Sequence, residues 1–204
     1  MTIDSGEKSS LEGEQEELAN LVPGEPGVRA VEVESIGGCS QLTVGSEGVA
    51  STVLCLGMPG LEFLSGSFAV AKSDLKYEPT YLTYREGPAL VKALDIIEVR
   101  PDVLLVPAAG RDHPRGSGMA RHIGALLSLP TVGVTRENLA GERGMEYDPG
   151  DGGASLYVSP GWGIDDVESL RLVEMSMGGH RMPEPVYLAK QACREQCSRI
   201  SMRF

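Results

Sequence analysis

The sequence predicts an α/β domain with a mixed central sheet and helices on both faces. Three observations lead there. Asp102 to Val106 and Thr131 to Val134 are continuous apolar runs, the pattern of parallel strands buried on both faces. Gly45 to Leu56 and Leu61 to Val70 are strand-like segments separated by the turn residues Gly57-Met58-Pro59-Gly60, which makes them a hairpin. Around the apolar runs lie stretches with helical spacing, so a meander gives way to alternating strands and helices.

Taken in order, residues 1 to about 10 read as a disordered tail, and Leu11 to Val22 as a short helix with the apolar stripe Leu11, Leu18, Leu21 and Val22. Pro23-Gly24-Glu25-Pro26-Gly27 breaks that helix, so residues 1–27 form a tail and short helix and residues 28–204 the main domain. Val28 to Val33 alternates and is the first of three antiparallel strands, with the hairpin supplying the other two. Tyr77 to Glu86 is a polar, aromatic loop, and Gly87 to Val99 a helix on Ala89, Leu90, Leu94 and Ile97. Ala108 to Gly118 is a loop, Met119 to Leu127 a helix, and Gly141 to Ser155 a loop rich in Gly, Asp and Pro. Leu156 to Val158 is a short strand, Asp165 or Asp166 caps a helix to about Met177, and Leu188 to about Ile200 is the last helix.

The 204 residues are enough for one domain with its own core, and 41 % hydrophobic against 23 % charged residues is a globular balance. No internal repeat is visible, no signal-peptide pattern, and no apolar run of about 18 residues, so a cytoplasmic protein without a membrane partner is expected. Cys39, Cys55, Cys193 and Cys197 form no CxxC pair and read as free thiols of a reducing compartment. The net charge of −11 weighs against a general nucleic-acid binder, but acids concentrate in the first residues (Asp4, Glu7, Glu12, Glu14, Glu16, Glu17) and a basic patch can sit on an acidic protein.

Three segments carry more specific information. They are Tyr77-Glu78-Pro79-Thr80-Tyr81-Leu82-Thr83-Tyr84-Arg85-Glu86-Gly87-Pro88; Pro101-Asp102 through Gly110 with His113-Pro114-Arg115 and Gly118 to Gly124; and Leu129-Pro130-Thr131-Val132-Gly133-Val134. Ser159-Pro160-Gly161 and Arg181-Met182-Pro183-Glu184-Pro185 support them. In order and spacing these resemble endonuclease V, the nuclease family that cuts near deoxyinosine in DNA or inosine in RNA, over roughly residues 28 to 195. The alternating pattern alone fits several folds; the resemblance implies the ribonuclease-H-like one, with Mg²⁺ held by three carboxylates.

Carried onto this sequence, the resemblance gives an incomplete site. The first acid, on an early strand, falls on Glu32 in Val31-Glu32-Val33, where the family has Asp; the second is Glu86. The third falls on Pro107, which offers no ligand atom, leaving Asp112 as the alternative third acid. Mg²⁺ tolerates little departure from octahedral geometry, so binding is expected to be weak or lost. His113 matches a histidine beside the scissile phosphate, Arg136 stands where the family has Lys, and Trp162 where it often has His or an acid. The implied nucleic-acid contacts are Tyr77, Pro79, Thr80, Leu82, Ala108, Gly110 and Arg115, with Thr80 and Ala108 replacing glycines. His122 reads as packing on its helix. The region after Leu139 is shorter than in the family and lacks its extra strand pair.

Two readings follow. One is a pseudoenzyme, a binding module for DNA or RNA containing inosine or deoxyinosine, or for a protein partner. The other is an active Mg-dependent nuclease with a metal site rebuilt from Glu32, Glu86 and Asp112. Arg85, Arg111, Arg115, Arg121 and Arg136 are the candidate basic patch, whereas an apolar patch in their place favours a protein partner.

Overall fold

A computed structural model describes residues 3–24, 27–137, 144–150 and 154–201. The chain enters through helix α1 (Ser5–Asn20) and a 3-10 turn (Ala30–Glu32), then forms strands β1 (Ser35–Val44), β2 (Gly48–Gly57) and β3 (Phe63–Lys72). Helix α2 (Leu82–Ile96), strand β4 (Val103–Val106), helix α3 (Met119–Leu127) and strand β5 (Thr131–Thr135) follow. The described chain closes with β6 (Met145–Tyr147), β7 (Leu156–Trp162), α4 (Asp166–Met175) and α5 (Glu184–Ser201).

The strands form one seven-stranded sheet in the order β3-β2-β1-β4-β5-β7-β6. β1, β4 and β5 are parallel, with Ile36 paired to Val103 and Leu104 to Thr131; the flanking strands are antiparallel. Strand pleat sends alternate residues to opposite faces. Val103 and Leu105 join Ile36, Val132, Leu172 and Val186 in a layer under α4 and α5. Leu104 and Val106 join Leu90, Ala93, Met119 and Ile123 in a layer under α2 and α3. The mixed sheet covered on both faces is the fold class the sequence predicts.

The hairpin, β4, α3, β5 and the Asp165 cap lie where the sequence puts them, Asp165 accepting the Glu168 N–H at 2.8 Å. Several expectations change. The tail is helical from Ser5, because Asp4 accepts the Gly6 and Glu7 N–H groups while the Glu7 carboxylate takes the Asp4 N–H, a capping box. Val28 to Val33 is not a strand: Val28 N–H bonds the Gly163 carbonyl and Ala30 N–H the Glu168 carboxylate at 2.7 Å, so the segment is strapped to the α4 side. The first strand is β1, masked in the sequence by Gly37 and Gly38. A Cβ on Gly38 would lie 2.1 Å from the Pro185 backbone, so glycine lets α5 settle on the sheet.

α2 begins at Leu82, so the expected loop up to Glu86 is its first turn, and Pro88 sits inside the helix. α5 starts at Glu184 and β7 extends to Trp162, both longer than expected. Part of the Gly141 to Ser155 expectation falls outside the described residues, but Met145–Tyr147 pairs with β7 as an added edge strand.

Gly38→Ala should therefore lower stability by at least about 2 kcal/mol in denaturant unfolding, because backbone rather than a flexible side chain must move. Gly13→Ala, in open space on α1, should raise it by roughly 0.5–1 kcal/mol. Equal midpoints for the two variants would contradict the packing described.

Candidate nucleic-acid cleft

Parallel strands that end together leave a crevice at their carboxyl ends. Here β4 and β5 end, and the middle of β1 passes, at a cleft of about 980 Å³. Its floor is Cys39, Ser40, Pro107, Ala108 and Thr135. One wall is α2, where Leu82 and Glu86 sit one helical turn apart on the same face, with exposed Tyr77 at the rim. The opposite wall is Arg136 with the entry to α5: His180, Arg181, Tyr187, Lys190 and Arg194. Among the described residues none of these four cations enters a salt bridge.

Two acids line the cleft among the described residues, Glu137 beside Arg136 and Glu86 over the strand ends. Burial raises the Glu86 pKa, and the neighbouring Arg85 guanidinium only partly offsets that. The strand residue that senses its charge is Cys39, whose thiol burial pushes up to about 12, so it stands neutral. The register that pairs Gly38 with Leu105 brings Ser40 beside Pro107 two steps on. The position where the family implies a third acid is thus Pro107, on the floor. Among the described residues no three His, Cys, Asp or Glu side chains converge as metal ligands. The three-carboxylate Mg²⁺ site that the resemblance implies does not fit the residues present: Glu86 has only a protonated thiol and a proline beside it at the strand ends, and Glu137 does not converge with them into a ligand group among the described residues.

The other predicted residues divide clearly. Glu32 lies on the exposed 3-10 turn at the opposite end of β1, paired with Arg29, and does not approach Glu86. Asp112 is 2 % exposed and held in its own loop; its Oδ1 accepts the Gly110 N–H at 2.9 Å, and its N–H donates to Ser159 Oγ. It does not line the cleft. Gly110 is a packing glycine, since a Cβ there would lie 2.4 Å from the Pro160 carbonyl oxygen. His113 is buried, with Nδ1 accepting the Arg115 N–H at 3.2 Å. Tyr77, Leu82, Glu86, Ala108 and Arg136 meet in the cleft; Pro79 is exposed beside it.

The predicted arginine patch is mostly turned inward. Arg115 donates to Gln15 Oε1 at 2.7 Å and to the Thr80 carbonyl and hydroxyl, and lies over the Tyr81 ring. Gln15, 1 % exposed, donates in turn to the Thr80 and Ser117 carbonyls. These bonds hold Thr80 at φ 73°, a backbone state that costs a non-glycine residue roughly 1–2 kcal/mol. Arg121 caps α1 by donating to the Leu18, Ala19 and Leu21 carbonyls, and Arg85 donates to the Leu75 carbonyl and Thr43 Oγ1. Arg111 pairs with Asp166 through both carboxylate oxygens. Of the five, Arg136 alone lines the cleft.

Sequence reasoning missed the α5 wall. Its signal was present: Tyr187, Lys190 and Arg194 follow the three- and four-residue spacing of one helix face. A helix expected from Leu188 leaves out Tyr187, and Lys190 and Arg194 lie outside the segments that carry the resemblance.

A family model for endonuclease V matches residues 16–152. Among solved structures, endonuclease V from Streptomyces avermitilis is 22 % identical with a TM-score of 0.82, over 97 % of this chain and 95 % of that one. The catalytic domain of human endonuclease V is 24 % identical with a TM-score of 0.79, over 98 % and 99 %. Ciona intestinalis endonuclease V, crystallised with a 24mer DNA containing an inosine followed by a ribo-adenosine, is 19 % identical with a TM-score of 0.81, over 96 % and 100 %.

Burial first, and then the Arg115 guanidinium, push the His113 pKa from 6.5 down to about 4, against the pull of the Thr80 carbonyl. A histidine depressed in the folded state gives stability that is full above its unfolded pKa and is lost as pH falls through the folded one. Unfolding free energy should therefore drop by up to about 3 kcal/mol between pH 6.5 and 4, and His113→Asn should flatten that slope. Parallel pH profiles for the two proteins would contradict the buried neutral imidazole.

Proposed function

The chain belongs to the endonuclease V family, and from that membership we propose that it binds inosine-bearing DNA or RNA without cutting it. The observation that carries this is the charge pattern of the cleft: Glu86 stands alone over the strand ends, the other lining acid, Glu137, sits beside Arg136, and Arg136, Arg181, Lys190 and Arg194 enter no salt bridge among the described residues. Metal-assisted hydrolysis needs ions that orient the water and neutralise the phosphate. Glu86, neutral Cys39 and Pro107 do not provide their seat.

What remains suits binding. Arg136 and Arg181 offer fixed positive charge to phosphates, and guanidinium groups keep that charge at any working pH. Tyr77 presents an exposed ring at the rim, where a base drawn out of its stack can lie on it. Burial favours the protonated form of Glu86, which reduces its repulsion of a polyanion. The Ciona relative bound to inosine-containing DNA supports inosine as the base sought. Four cysteines without a disulfide suit a reducing compartment, and a cytoplasmic location is part of this reading. No described helix is long and apolar enough to cross a membrane.

Titration of inosine-containing and matched inosine-free oligonucleotides, with Mg²⁺ or Mn²⁺ present, tests the proposal. Binding should favour inosine and leave the strands intact. Tyr77→Ala should weaken it by roughly fivefold or more. Arg136→Ala should reduce the slope of log affinity against log salt by about 0.7–0.9. Cleavage that vanishes in Glu86→Ala would establish an active nuclease instead, and neither binding nor cleavage would direct the search to a protein partner.

A further inference from the structure

The wall opposite Glu86 carries more than charge. His180 and Tyr187 stack with ring centroids 3.5 Å apart and planes at 25°. The pair is fixed from below: His180 Nδ1 lies 2.8 Å from the carboxylate of Glu184, the first residue of α5. One side of the His180 ring is taken by Tyr187, yet 36 % of the histidine side chain stays exposed, and both rings line the cleft. An aromatic plate with one face covered, part of its surface exposed and its angle fixed is what an unstacked base needs, because every base has a π-face and the plate loses little freedom on binding.

Along the same helix face, Lys190 and Arg194 follow Tyr187 at three and seven residues, so the two cations stand one turn, about 5.4 Å, apart beyond the plate. Both are exposed, and neither forms a salt bridge among the described residues. They lie across the cleft from Tyr77, the plate assigned above to the inosine base. The cleft therefore holds two aromatic plates on opposite walls, and only the α5 plate is followed by a row of cations.

Resting on the reading that the cleft binds inosine-bearing strands, we propose that His180, Tyr187, Lys190 and Arg194 form a second subsite, which takes the single-stranded nucleotides flanking that base. One flanking base stacks on the exposed surface of His180. The two phosphates beyond it lie against Lys190 and Arg194. Phosphate contact positions the strand without reading its sequence, so the subsite accepts any flanking base but demands that it be unpaired. A duplex keeps that base stacked on its neighbours and denies it to the plate.

The test is anisotropy titration of the full chain with single-stranded oligonucleotides that carry one inosine and differ only in flank length, alongside a blunt duplex containing the same inosine. In the wild type, lengthening one flank from one nucleotide to four should raise affinity about tenfold. It should also steepen the salt slope by about 1.4, the share of two phosphates on a single strand. The duplex should bind no better than the short strand. In the double variant Lys190→Ala/Arg194→Ala the ratio of long-flank to short-flank affinity should collapse towards one, and in His180→Ala it should fall by roughly fivefold or more. Arg136→Ala should weaken both lengths together and keep their ratio. A ratio that survives the α5 variants, or no gain with length in the wild type, would overturn the subsite while leaving the inosine reading intact. Failure of the wild type to bind any of the strands would overturn both.

Discussion

Val103-Leu104-Leu105-Val106 is the constraint on which the rest of the structure depends. All four residues of β4 are fully buried, and they supply both hydrophobic layers of the protein in alternation. A strand covered on both faces disfavours polar side chains, and its neighbours β1 and β5 run parallel to it, β1 continuing past its end to Val44. The cleft lies where that apolar run stops, at Pro107. Every group that could act there is brought in from elsewhere: Glu86 by the first turns of α2, Arg136 by the end of β5, and the aromatic and basic wall by α5. Gly38 makes the last of these possible by letting the Pro185 backbone reach the sheet.

A second feature explains why so much of the distinctive sequence is structural. Helix α1 sits over the Thr80 and His113 loops, and Gln15 joins them through the Thr80 and Ser117 carbonyls and Arg115 Nε. Arg115 and Arg121 spend their donors on Thr80, Gln15 and the end of α1 rather than on a ligand. A sequence of arginines beside a family motif looks like a basic patch, and in three dimensions it is largely a set of internal fasteners. Of the cations that do face the cleft, Lys190 and Arg194 sit on a stretch of α5 outside the segments that carry the resemblance.

The pattern of success and failure has a physical logic. β4, β5, α3 and the hairpin were legible because burial writes a strong periodicity into short segments, and the Asp165 cap because its side chain must answer a free N–H. β1 was hidden because Gly37 and Gly38 are selected by what packs on them, Pro101 and Pro185, which are distant in sequence. That error moved the first acid position to Glu32, whereas the strand residue near Glu86 is Cys39. The α2 start was misread because Gly87-Pro88 looks like a helix entry, although the helix already runs from Leu82. α1 starts earlier than its apolar stripe indicates because its entry is set by the Asp4–Glu7 capping box, a polar signal. The fold could be read from local pattern; the site could not, because it is assembled from strand ends and helix faces that only the packing brings together.

The account turns on whether the strand ends can seat a divalent ion. Mn²⁺ titration followed by electron paramagnetic resonance, on the wild type and on Cys39→Asp/Pro107→Asp, measures that directly. The account predicts no stoichiometric site in the wild type up to millimolar Mn²⁺, and the gain of one when carboxylates are placed beside Glu86 on β1 and β4. A wild-type site filled at micromolar Mn²⁺ and lost in Glu86→Ala would contradict it.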